Sequence, residues 1–433
     1  MLTNEVKRDH SSAIRPQTRV VVTGIGIVTP LGHTLDELWQ RLLHGPTGVG
    51  PITRFDSSRF SCRLAAEVES GYIPDSGEAY LHEVKRMARF VHFGIGAASA
   101  AFADAGFPRE RIQAADGSGG LFVGVAMGGL GNIEDGVLLQ EAKGPRKTTP
   151  YLIPSLIPNA ATGMIGLLNG FRGPQYTVVG GCASGLQAMG QAMEAIRSGQ
   201  LSWALAGGSE EVTTPITYSG FQAMGILTET EDPLATPRPF DRTRDGMVVG
   251  EGAGMLLLES LESARERGAP ILAELTGYAT SSVISKAFFS CGDETARCMR
   301  LVLDDAGLQP GDVGCILAHA GGLAGDAGEM KAVQEVFPDP GARPALTSTK
   351  GHIGYCFAGS GPLDVAAAIL ALRHQKIFPA LNFREAEPEL ADLEIVAQPV
   401  DRTMQHCLIN SFGLGGVNAS LIVSAEPKGT GHA

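Results

Sequence analysis

The stretch Tyr176-Thr-Val-Val-Gly-Gly-Cys-Ala-Ser-Gly-Leu-Gln-Ala-Met-Gly-Gln-Ala-Met-Glu-Ala-Ile196 decides how this chain is organised. Its first four residues are rich in β-branched side chains and precede a pair of glycines, which predicts a buried strand that ends in a tight turn. Apolar residues then recur at helical spacing from Leu186 to Ile196, which predicts a helix with one buried face. Cys182 lies between the two elements.

A side chain at such a strand-to-helix turn faces the free backbone N–H groups of the first helical turn. The positive end of the helix dipole favours the thiolate over the thiol there. Gly181 and Gly185 leave room for a substrate to approach Cys182. Two interpretations stay open at this point: a nucleophilic cysteine, or a small buried apolar residue, which is the usual environment of a free cysteine.

Length and composition indicate a dense globular protein. The chain has 433 residues, 44% of them hydrophobic, and 57 glycines, which allows two or three domains or one large α/β unit. Its net charge of −12 excludes a general affinity for nucleic acids or anionic membranes. No apolar run is long enough to cross a bilayer. Met1–Gln17 lacks the apolar core of a signal peptide, so we expect a cytoplasmic protein.

The cysteines and the first glycines of the chain give no sign of a metal or a cofactor. The seven cysteines are scattered without the close spacing of a zinc site, and free thiols in a reducing compartment explain them. Gly24 and Gly26 resemble the start of a dinucleotide fingerprint. Thr29 stands where the third glycine belongs, and Pro30 interrupts the expected helix. We therefore expect neither a nicotinamide cofactor nor a metal.

Buried strands alternate with helices along most of the chain, which is typical of parallel or mixed sheets covered on both faces. The charged segment before Gly268 marks a boundary between two halves. We predict an N-terminal half over 18–267 and a C-terminal half over 268–426. Terminal tails are expected over 1–17 and 427–433.

Three later stretches carry reactive or flexible residues. His319 ends a predicted strand and enters a glycine-rich loop, where a base is well placed for chemistry. The segment 347–361 contains Lys350, His352 and Tyr355 among glycines that could aim donors at an oxyanion. The segment 410–418 surrounds Phe412 and Leu414 with small residues and predicts a mobile loop over a pocket.

Taken together, these motifs resemble the elongating β-ketoacyl synthases. The ordered set is Gly-Gly-Cys-Ala-Ser-Gly, Ala-His-x-Gly-Gly, Ser-Thr-Lys and Asn-Ser-Phe-Gly-Leu-Gly-Gly-x-Asn, and the resemblance covers the chain from about Arg19 to Val423. It implies the α/β thiolase fold, in which two similar halves stack as five α-β-α-β-α layers. It also implies a dimer, either of two identical chains or with a second ketosynthase-like subunit.

The resemblance also implies roles for single residues. Cys182 would take an acyl chain from an acyl carrier protein, and the backbone amides of Cys182 and Leu414 would form the oxyanion hole within a gate that includes Phe412 and Gly413. His319 matches the first of the two family histidines that bind the malonyl thioester and promote decarboxylation. The remaining matches are the family lysine and its acidic support: Lys350, Asp326 and Glu329.

The second family histidine is missing from its expected place. It normally stands five residues after the lysine, and Tyr355 occupies that position here, with Gly354 before it as expected. An alternative register that keeps His352 as the second histidine needs a deletion and a compensating insertion, so we favour Tyr355. A tyrosine hydroxyl can donate a hydrogen bond to an enolate, but it does not titrate near neutral pH.

Other departures surround the same part of the site. The family threonines after the first histidine are absent, with residues 320–323 reading Ala-Gly-Gly-Leu. Leu414 stands where the family often has phenylalanine. The segment before Glu294, with Phe288 and Phe289, is expected to line or cap the entrance.

We therefore expect a condensing enzyme of polyketide or specialised fatty-acid biosynthesis. Two alternatives stay open: an acyltransferase or non-decarboxylating condensing enzyme, and a non-catalytic partner subunit that sets chain length. The implied partner is acyl carrier protein, an acidic domain. Lys85 and Arg86, which together with Arg89 are predicted on the surface of one helix, match a basic docking site of the family.

Overall fold

A computed structural model describes residues 18–283 and 293–426 of the chain. These residues form fifteen β-strands and fourteen α-helices. The tails predicted over 1–17 and 427–433, and the entrance segment with Phe288 and Phe289, lie outside the described residues.

The first part of the chain contains eight strands and ten helices. In chain order they are β1 (Val20–Val28), α1 (Leu35–His44), β2 (Val49–Pro51), β3 (Leu64–Ala66), α2 (Leu81–Val84), α3 (Arg89–Asp104), α4 (Arg109–Ile112), β4 (Gly119–Gly124), α5 (Leu130–Lys143), α6 (Leu152–Leu156), α7 (Ala160–Asn169), β5 (Gln175–Val178), α8 (Ser184–Arg197), β6 (Trp203–Glu210), α9 (Pro215–Ala223), β7 (Val249–Gly250), β8 (Gly252–Ser260) and α10 (Leu261–Glu266).

The second part contains seven strands and four helices among the described residues. They are β9 (Ala273–Ser282), α11 (Asp293–Ala306), β10 (Val313–Leu317), α12 (Asp326–Val336), β11 (Ala345–Thr347), α13 (Lys350–Ile353), α14 (Ser360–His374), β12 (Lys376–Ile377), β13 (Val400–Asp401), β14 (His406–Gly413) and β15 (Val417–Ser424).

Ten strands form one sheet in the order β11-β10-β14-β15-β9-β1-β8-β6-β4-β5. The first part of the chain contributes β1, β4, β5, β6 and β8, and the second part contributes β9, β10, β11, β14 and β15. Numbered along the chain within each set, the strands lie in the same order: the third strand (β5 or β11) is at the outer edge, and the first (β1 or β9) is at the junction. In both sets the second strand (β4 or β10) is parallel to the third and the fourth. The fifth strand (β8 or β15) is antiparallel to both of its neighbours. Only three residue pairs join β1 to β9. The sheet is therefore two copies of one five-strand arrangement joined by a short seam.

Helices cover both faces of each five-strand set. α3 and α7 pack on the outer face of the first set, and α11 and α12 on that of the second. α8 and α14 lie between the two sets and contact strands of both. Every residue of α14 from Ser360 to Leu372 is buried, as expected for a helix enclosed on all sides. This arrangement confirms the predicted α-β-α-β-α layers.

Two details of the sequence-based prediction are wrong. The strand before Cys182 is not buried: β5 is the end strand of the sheet, and about half of Tyr176 is exposed. Its β-branched run had indicated burial on both faces, because periodicity alone does not separate central from edge strands. The second error concerns α3, which begins at Arg89, so that Lys85 and Arg86 lie in the turn before it.

Within the described residues, no helix combines the length and the apolar character that a membrane span requires.

Candidate active site

Cys182 lies in the turn between β5 and α8, on the wall of a cavity of about 550 Å³. Gly181 has φ = +60°, a left-handed conformation that favours glycine, and α8 begins at Ser184 directly after this turn. Only 6% of Cys182 is exposed. Cys182 is thus largely buried, and its small exposed surface lines the cavity.

Both parts of the chain line this cavity. The lining residues are Cys182, Phe221, Met224, Gly225, Ile226, Arg242, Arg244, Asp245, Gly246, Met247, His319, Leu323, Ala324, Gly325, Asp326, Glu329, Tyr355, Phe357, Phe412, Gly413 and Leu414. Most of the predicted site residues are among them: Cys182, His319 and Tyr355 lie in segments that follow β5, β10 and β11, Phe412 and Gly413 end β14, and Asp326 and Glu329 begin α12.

The imidazole of His319 is held in one tautomer. The backbone N–H of Phe412 donates a hydrogen bond to Nδ1 of His319 at 3.1 Å. Because Nδ1 is the acceptor, the proton of the neutral ring must be on Nε2. Burial, and secondly the positive charge of Lys350, lower the pKa of His319 to about 3, so the ring is neutral at physiological pH. His319 therefore presents an N–H donor to the cavity.

The hydroxyl of Tyr355 continues this line of donors. Its oxygen lies 3.1 Å from Nε2 of His319, and since Nε2 carries the proton, the imidazole donates and the tyrosine oxygen accepts. The hydroxyl proton of Tyr355 is then available for the side chain of Cys182, with which Tyr355 is hydrogen-bonded. Starting at the amide of Phe412, each donor thus points toward the sulfur.

The expectation that the helix start makes Cys182 acidic is wrong for the resting site. Burial raises the pKa of the Cys182 thiol above its ordinary value, and the negative charge of Glu210 adds to this effect. The hydrogen bonds from Tyr355 and from the amide of Leu414 oppose the rise without cancelling it. The positive end of the helix dipole does not offset the cost of placing a thiolate in a buried site.

The gate residues surround Cys182 as the resemblance implies. The backbone N–H groups of Leu414 and of Cys182 itself both face the Cys182 sulfur. The hydroxyl of Ser411 donates to the carbonyl oxygen of Cys182 at 3.1 Å, which ties the start of the gate to the cysteine turn. Gly413 and Phe412 complete this wall of the cavity. Two amides that converge on one point can stabilise an oxyanion formed there.

Asp326 and Glu329 hold the backbone of the His319 loop. Glu329 accepts hydrogen bonds from the N–H of His319 at 3.0 Å and from the side-chain amide of Asn410 at 2.9 Å. Asp326 accepts from the N–H groups of residues 321–323 at 2.9–3.2 Å. Both carboxylates are buried at the start of α12. The acidic residues thus fix where His319 stands.

Lys350 lies behind His319, and it is not among the residues that line the cavity. Its ammonium group donates to the carbonyl of Ala318 at 3.2 Å and is paired with the carboxylate of Asp364. Asp364 also accepts from the hydroxyl of Thr349 at 2.6 Å. Lys350 reaches the site through its charge, which lowers the pKa of His319. Asp364 was not predicted as the partner of Lys350, although a lysine buried this deeply requires a counter-ion.

The structure does not bring His352 to the site. His352 belongs to α13, and its Nε2 donates to the carbonyl of Pro379 at 2.9 Å. The ring packs edge-on against Phe378 and does not line the cavity. Its assignment as a catalytic residue is corrected here: the turn at Gly354, with φ = +67°, carries Tyr355 to the cavity and leaves His352 on the other side.

Lys85 and Arg86 are exposed, as a docking site requires. The guanidinium of Arg86 lies 4.7 Å from the centre of the Tyr151 ring. Arg89, in contrast, is not part of a surface cluster, because it forms an ion pair with the buried Glu251 at 2.6 Å. The sequence pattern of three basic residues did not reveal this buried partner.

Several cavity residues were not found from the sequence. Phe221 at the end of α9 stacks on Phe357, with ring centres 5.3 Å apart, and both form an apolar wall. Arg244, which also lines the cavity, donates to the carbonyl of Leu323 at 2.7 Å and thereby anchors the loop that follows His319. Phe357 stands in the segment 347–361 singled out above, but nothing in its spacing indicated which way the ring faces.

Two family models match this chain. The N-terminal domain of beta-ketoacyl synthases matches residues 17–264, and the C-terminal domain matches residues 272–384. The chain belongs to the β-ketoacyl synthase family. A β-ketoacyl synthase is an acyltransferase, so the predicted enzyme class is confirmed.

Two curated relatives span nearly the whole of this β-ketoacyl synthase. Both are described as 3-oxoacyl-[acyl-carrier-protein] synthase 2. The relative from Synechocystis sp. is 38% identical over 411 residues, which are 93% of this chain and 97% of the relative. The relative from Staphylococcus aureus is 34% identical over 413 residues, with the same coverage.

Solved structures of similar proteins confirm the thiolase fold. The ishigamide ketosynthase/chain length factor superposes with a TM-score of 0.86 at 31% identity, covering 95% of this chain and 100% of that one. A β-ketoacyl synthase from Burkholderia phymatum gives 0.87 at 31% identity with the same coverage. The third is AntDE:AntF, a type II polyketide synthase carrier protein in complex with its ketosynthase, with a TM-score of 0.85 at 29% identity and the same coverage.

The position of His352 leads to a prediction for His352→Gln. Burial lowers the pKa of His352 from 6.5 to about 4, so the folded protein keeps this ring neutral while the unfolded chain protonates it. Its contribution to stability is therefore complete above pH 6.5 and is lost as the pH falls toward 4. Between pH 6.5 and pH 4 the unfolding free energy of the wild type should fall by about 3 kcal/mol more than that of the variant, which has no imidazole to protonate.

Urea unfolding at several pH values measures this difference. Because His352 does not touch the cavity, alkylation of Cys182 by iodoacetamide should be the same in His352→Gln and in the wild type, whereas His319→Gln should change it. A changed alkylation rate in His352→Gln would contradict the placement of His352 outside the site.

Proposed function

We propose that this chain is a condensing enzyme that accepts an acyl group on Cys182 and extends it by decarboxylative Claisen condensation with a malonyl thioester of acyl carrier protein. The proposed setting is polyketide or specialised fatty-acid biosynthesis. The observation that supports this most is the convergence of Cys182, His319 and Tyr355 on one cavity, with the donors directed at the sulfur. The mostly apolar wall opposite suits an acyl chain.

In the proposed acylation, the Cys182 sulfur attacks the carbonyl carbon of an acyl thioester. The oxygen becomes negative, and the N–H groups of Cys182 and Leu414 stabilise it. The carbon–sulfur bond to the carrier then breaks, and the carrier leaves as a thiol with the proton that Cys182 gives up. Because burial keeps the Cys182 pKa high, the thiol must lose its proton as the new bond forms.

Acylation changes what the donors can bind. A thioester sulfur is a weak hydrogen-bond acceptor, so the hydroxyl of Tyr355 loses its partner once Cys182 carries an acyl group. The hydroxyl of Tyr355 and Nε2–H of His319 are then neighbouring donors beside the cavity. Together they can bind the carbonyl oxygen of a malonyl thioester, which becomes the enolate oxygen when the carboxylate leaves as carbon dioxide.

The condensation itself needs no further acid or base. The enolate carbon forms a bond to the acyl carbon on Cys182, and the bond from that carbon to sulfur breaks. The β-ketoacyl product stays on the carrier, and Cys182 is released as a thiolate. The raised pKa of Cys182 favours uptake of a proton from water, which restores the resting thiol.

One observation favours a second candidate, acyl transfer without decarboxylation. Tyr355 offers a single hydroxyl in the place where the resemblance implies an imidazole, and it cannot take up a proton near neutral pH. The third possibility, a non-catalytic partner subunit, is disfavoured because Cys182 borders an open cavity lined by donors.

Tyr355→Phe tests the condensation. The variant keeps the ring but removes one of the two enolate donors, so extension should fall by about 10²–10³-fold. The acyl adduct on Cys182 should persist, because the two amides that stabilise acylation remain. Mass spectrometry of the protein and of the carrier-bound product, with carbon dioxide release, measures both steps, and Cys182→Ala serves as the control without an adduct.

The wild-type result separates the candidates. Extension with carbon dioxide release supports the proposed function, an adduct without extension supports acyl transfer alone, and no adduct supports a partner subunit. Equal extension by the wild type and Tyr355→Phe would contradict the role proposed for Tyr355.

We propose Lys85 and Arg86 as part of the docking site for the acidic carrier protein. Both are exposed in a chain of net charge −12, where local positive charge is needed to attract an acidic partner. The structural relative AntDE:AntF is a ketosynthase in complex with its carrier protein. The neighbouring ring of Tyr151 limits the motion of the Arg86 side chain.

The variant Lys85→Glu/Arg86→Glu should slow acylation of Cys182 by about tenfold or more at low ionic strength, with a smaller effect at high salt. Initial rates with acyl-carrier protein at two salt concentrations measure this. Arg109→Glu/Arg265→Glu changes the net charge equally at exposed positions on α4 and α10 and is the matched control. Equal slowing in both variants would assign the effect to net charge and not to this site.

We also propose that the chain dimerises through β5. This strand is one end of the ten-stranded sheet, and in the described residues it leaves a backbone edge unpaired beside exposed apolar side chains. About half of Tyr176 and of Leu167 is exposed. The other end strand, β11, is buried and bridged to Ile395. An edge strand that pairs with its own copy gives a closed two-fold dimer.

Tyr176→Lys/Leu167→Lys should convert the dimer to a monomer, because a dimer would bring the new charges together at a desolvated interface. Light scattering after gel filtration gives the mass directly. Leu234→Lys, at a highly exposed leucine elsewhere, should leave the mass unchanged. A wild-type protein with the mass of one chain would exclude this interface.

A further inference from the structure

Gly321 stands beside the ring of Tyr355 and carries no side chain toward it. It lies in the loop between β10 and α12, is buried, and donates its N–H to the carboxylate of Asp326 at 3.2 Å. A Cβ at this position would lie 3.3 Å from Cδ2 of Tyr355 and 3.9 Å from Cε2. The nearest atom on the other side, Cγ of Lys350, would be at an ordinary 3.9 Å. The crowding at this position is therefore with Tyr355 alone.

The backbone at Gly321 does not itself require glycine. The neighbouring Gly322 has φ = +88°, a left-handed conformation, whereas Gly321 is not among the residues with positive φ. A substitution at Gly321 therefore introduces no conformational strain of the kind expected at Gly322. What decides the residue type at 321 is the space that the Tyr355 ring occupies.

The Tyr355 ring is not free to move away. Its backbone is fixed by hydrogen bonds to Val248 at 2.8 Å and from Gly250 at 2.9 Å. The ring packs edge-on against Phe357, with centres 4.9 Å apart, and only 3% of the residue is exposed. Its hydroxyl is held between His319 and Cys182. A displacement of a few tenths of an ångström at Cδ2 would be transmitted to the hydroxyl through the rigid ring.

We propose that Gly321 is a positioning residue: its missing side chain makes the room that lets Tyr355 place its hydroxyl between His319 and Cys182. The sizes of the residues at 321 and 355 therefore depend on each other: a tyrosine ring at 355 leaves room only for glycine at 321. This inference rests on the proposed role of Tyr355 as the donor to Cys182. It adds a residue that touches neither substrate nor sulfur and acts only through Tyr355.

The test is a double-mutant cycle read out on the thiol of Cys182. The pH dependence of its alkylation by iodoacetamide gives the midpoint of thiol ionisation, and mass spectrometry locates the adduct. The titratable groups that face Cys182 are Tyr355, His319 through Tyr355, and Glu210. None of the proposed substitutions removes His319 or Glu210, so the midpoint reports the hydrogen bond from Tyr355.

Tyr355→Phe removes this hydrogen bond and should raise the midpoint by about one pH unit, the size expected for one hydrogen bond to a charged group. Gly321→Ala should raise it in the same direction. In the Tyr355→Phe background, Gly321→Ala should add no further shift, because the hydroxyl it displaces is already gone. Gly71→Ala, at an exposed glycine with no neighbouring atom within 4 Å and no positive φ, should leave the midpoint unchanged.

Thermal stability tests the same proposal independently of the Cys182 thiol. The smaller imidazole of Tyr355→His relieves the crowding, so Gly321→Ala should lower the thermal midpoint of the wild type but not that of Tyr355→His. If Gly321→Ala does not fold alone, the double variant Gly321→Ala/Tyr355→His should still fold.

Equal destabilisation in both backgrounds overturns the proposal, as does an unchanged ionisation midpoint in a folded Gly321→Ala protein. The thiol readout needs neither malonyl substrate nor carrier protein. A wild-type protein that fails to extend an acyl chain would therefore refute the proposed function and leave this cycle interpretable.

Discussion

One hydrogen bond sets the direction of the two side-chain donors beside Cys182: the backbone N–H of Phe412 to Nδ1 of His319. Because a neutral imidazole carries only one proton, this bond forces the proton to Nε2, and Nε2 then donates to Tyr355. The tyrosine has only its own hydroxyl proton left to offer, and it offers it to Cys182. A backbone amide on β14 thus decides which atoms of His319 and Tyr355 donate and which accept.

The charge of Lys350 is kept apart from the sulfur of Cys182. The thiol of Cys182, whose pKa is raised, and the imidazole of His319, whose pKa is lowered, are both uncharged at rest, and the hydroxyl of Tyr355 lies between them. The ammonium of Lys350 lies behind them, already paired with Asp364. Buried charges are costly unless paired, and a free charge in the cavity would also bind water. Because this ion pair lies outside the cavity lining, its field favours the neutral form of His319 while the ammonium group itself does not border the cavity.

Apolar runs predicted sheets covered on both faces, because buried strands and enclosed helices leave such runs, and the family resemblance implied the five layers. The family resemblance also implied that Cys182, His319 and Tyr355 share one site, and the family's spacing from the lysine favoured Tyr355 over His352. The errors came from properties that depend on neighbours distant in the chain. The acidity of Cys182 was misjudged because burial outweighs the helix terminus, and Arg89 was placed on the surface because its partner Glu251 lies 162 positions away. Gly321 looked like one of many loop glycines until the ring beside it was known.

The two five-strand sets repeat one plan, yet the equivalent strand ends carry different chemistry. The third strand of the first set leads to Cys182, and the third strand of the second leads to the Lys350 ion pair. The second strand of the second set leads to His319, whereas its counterpart β4 ends in a loop whose amides are bound by Glu210. The repeated scaffold thus provides two sets of strand ends. One set supplies Cys182 and the other supplies His319, so that each half carries only part of the active site. A nucleophile and its electrophilic partners that come from separate repeats can diversify independently, provided that the surface along which the repeats meet is preserved.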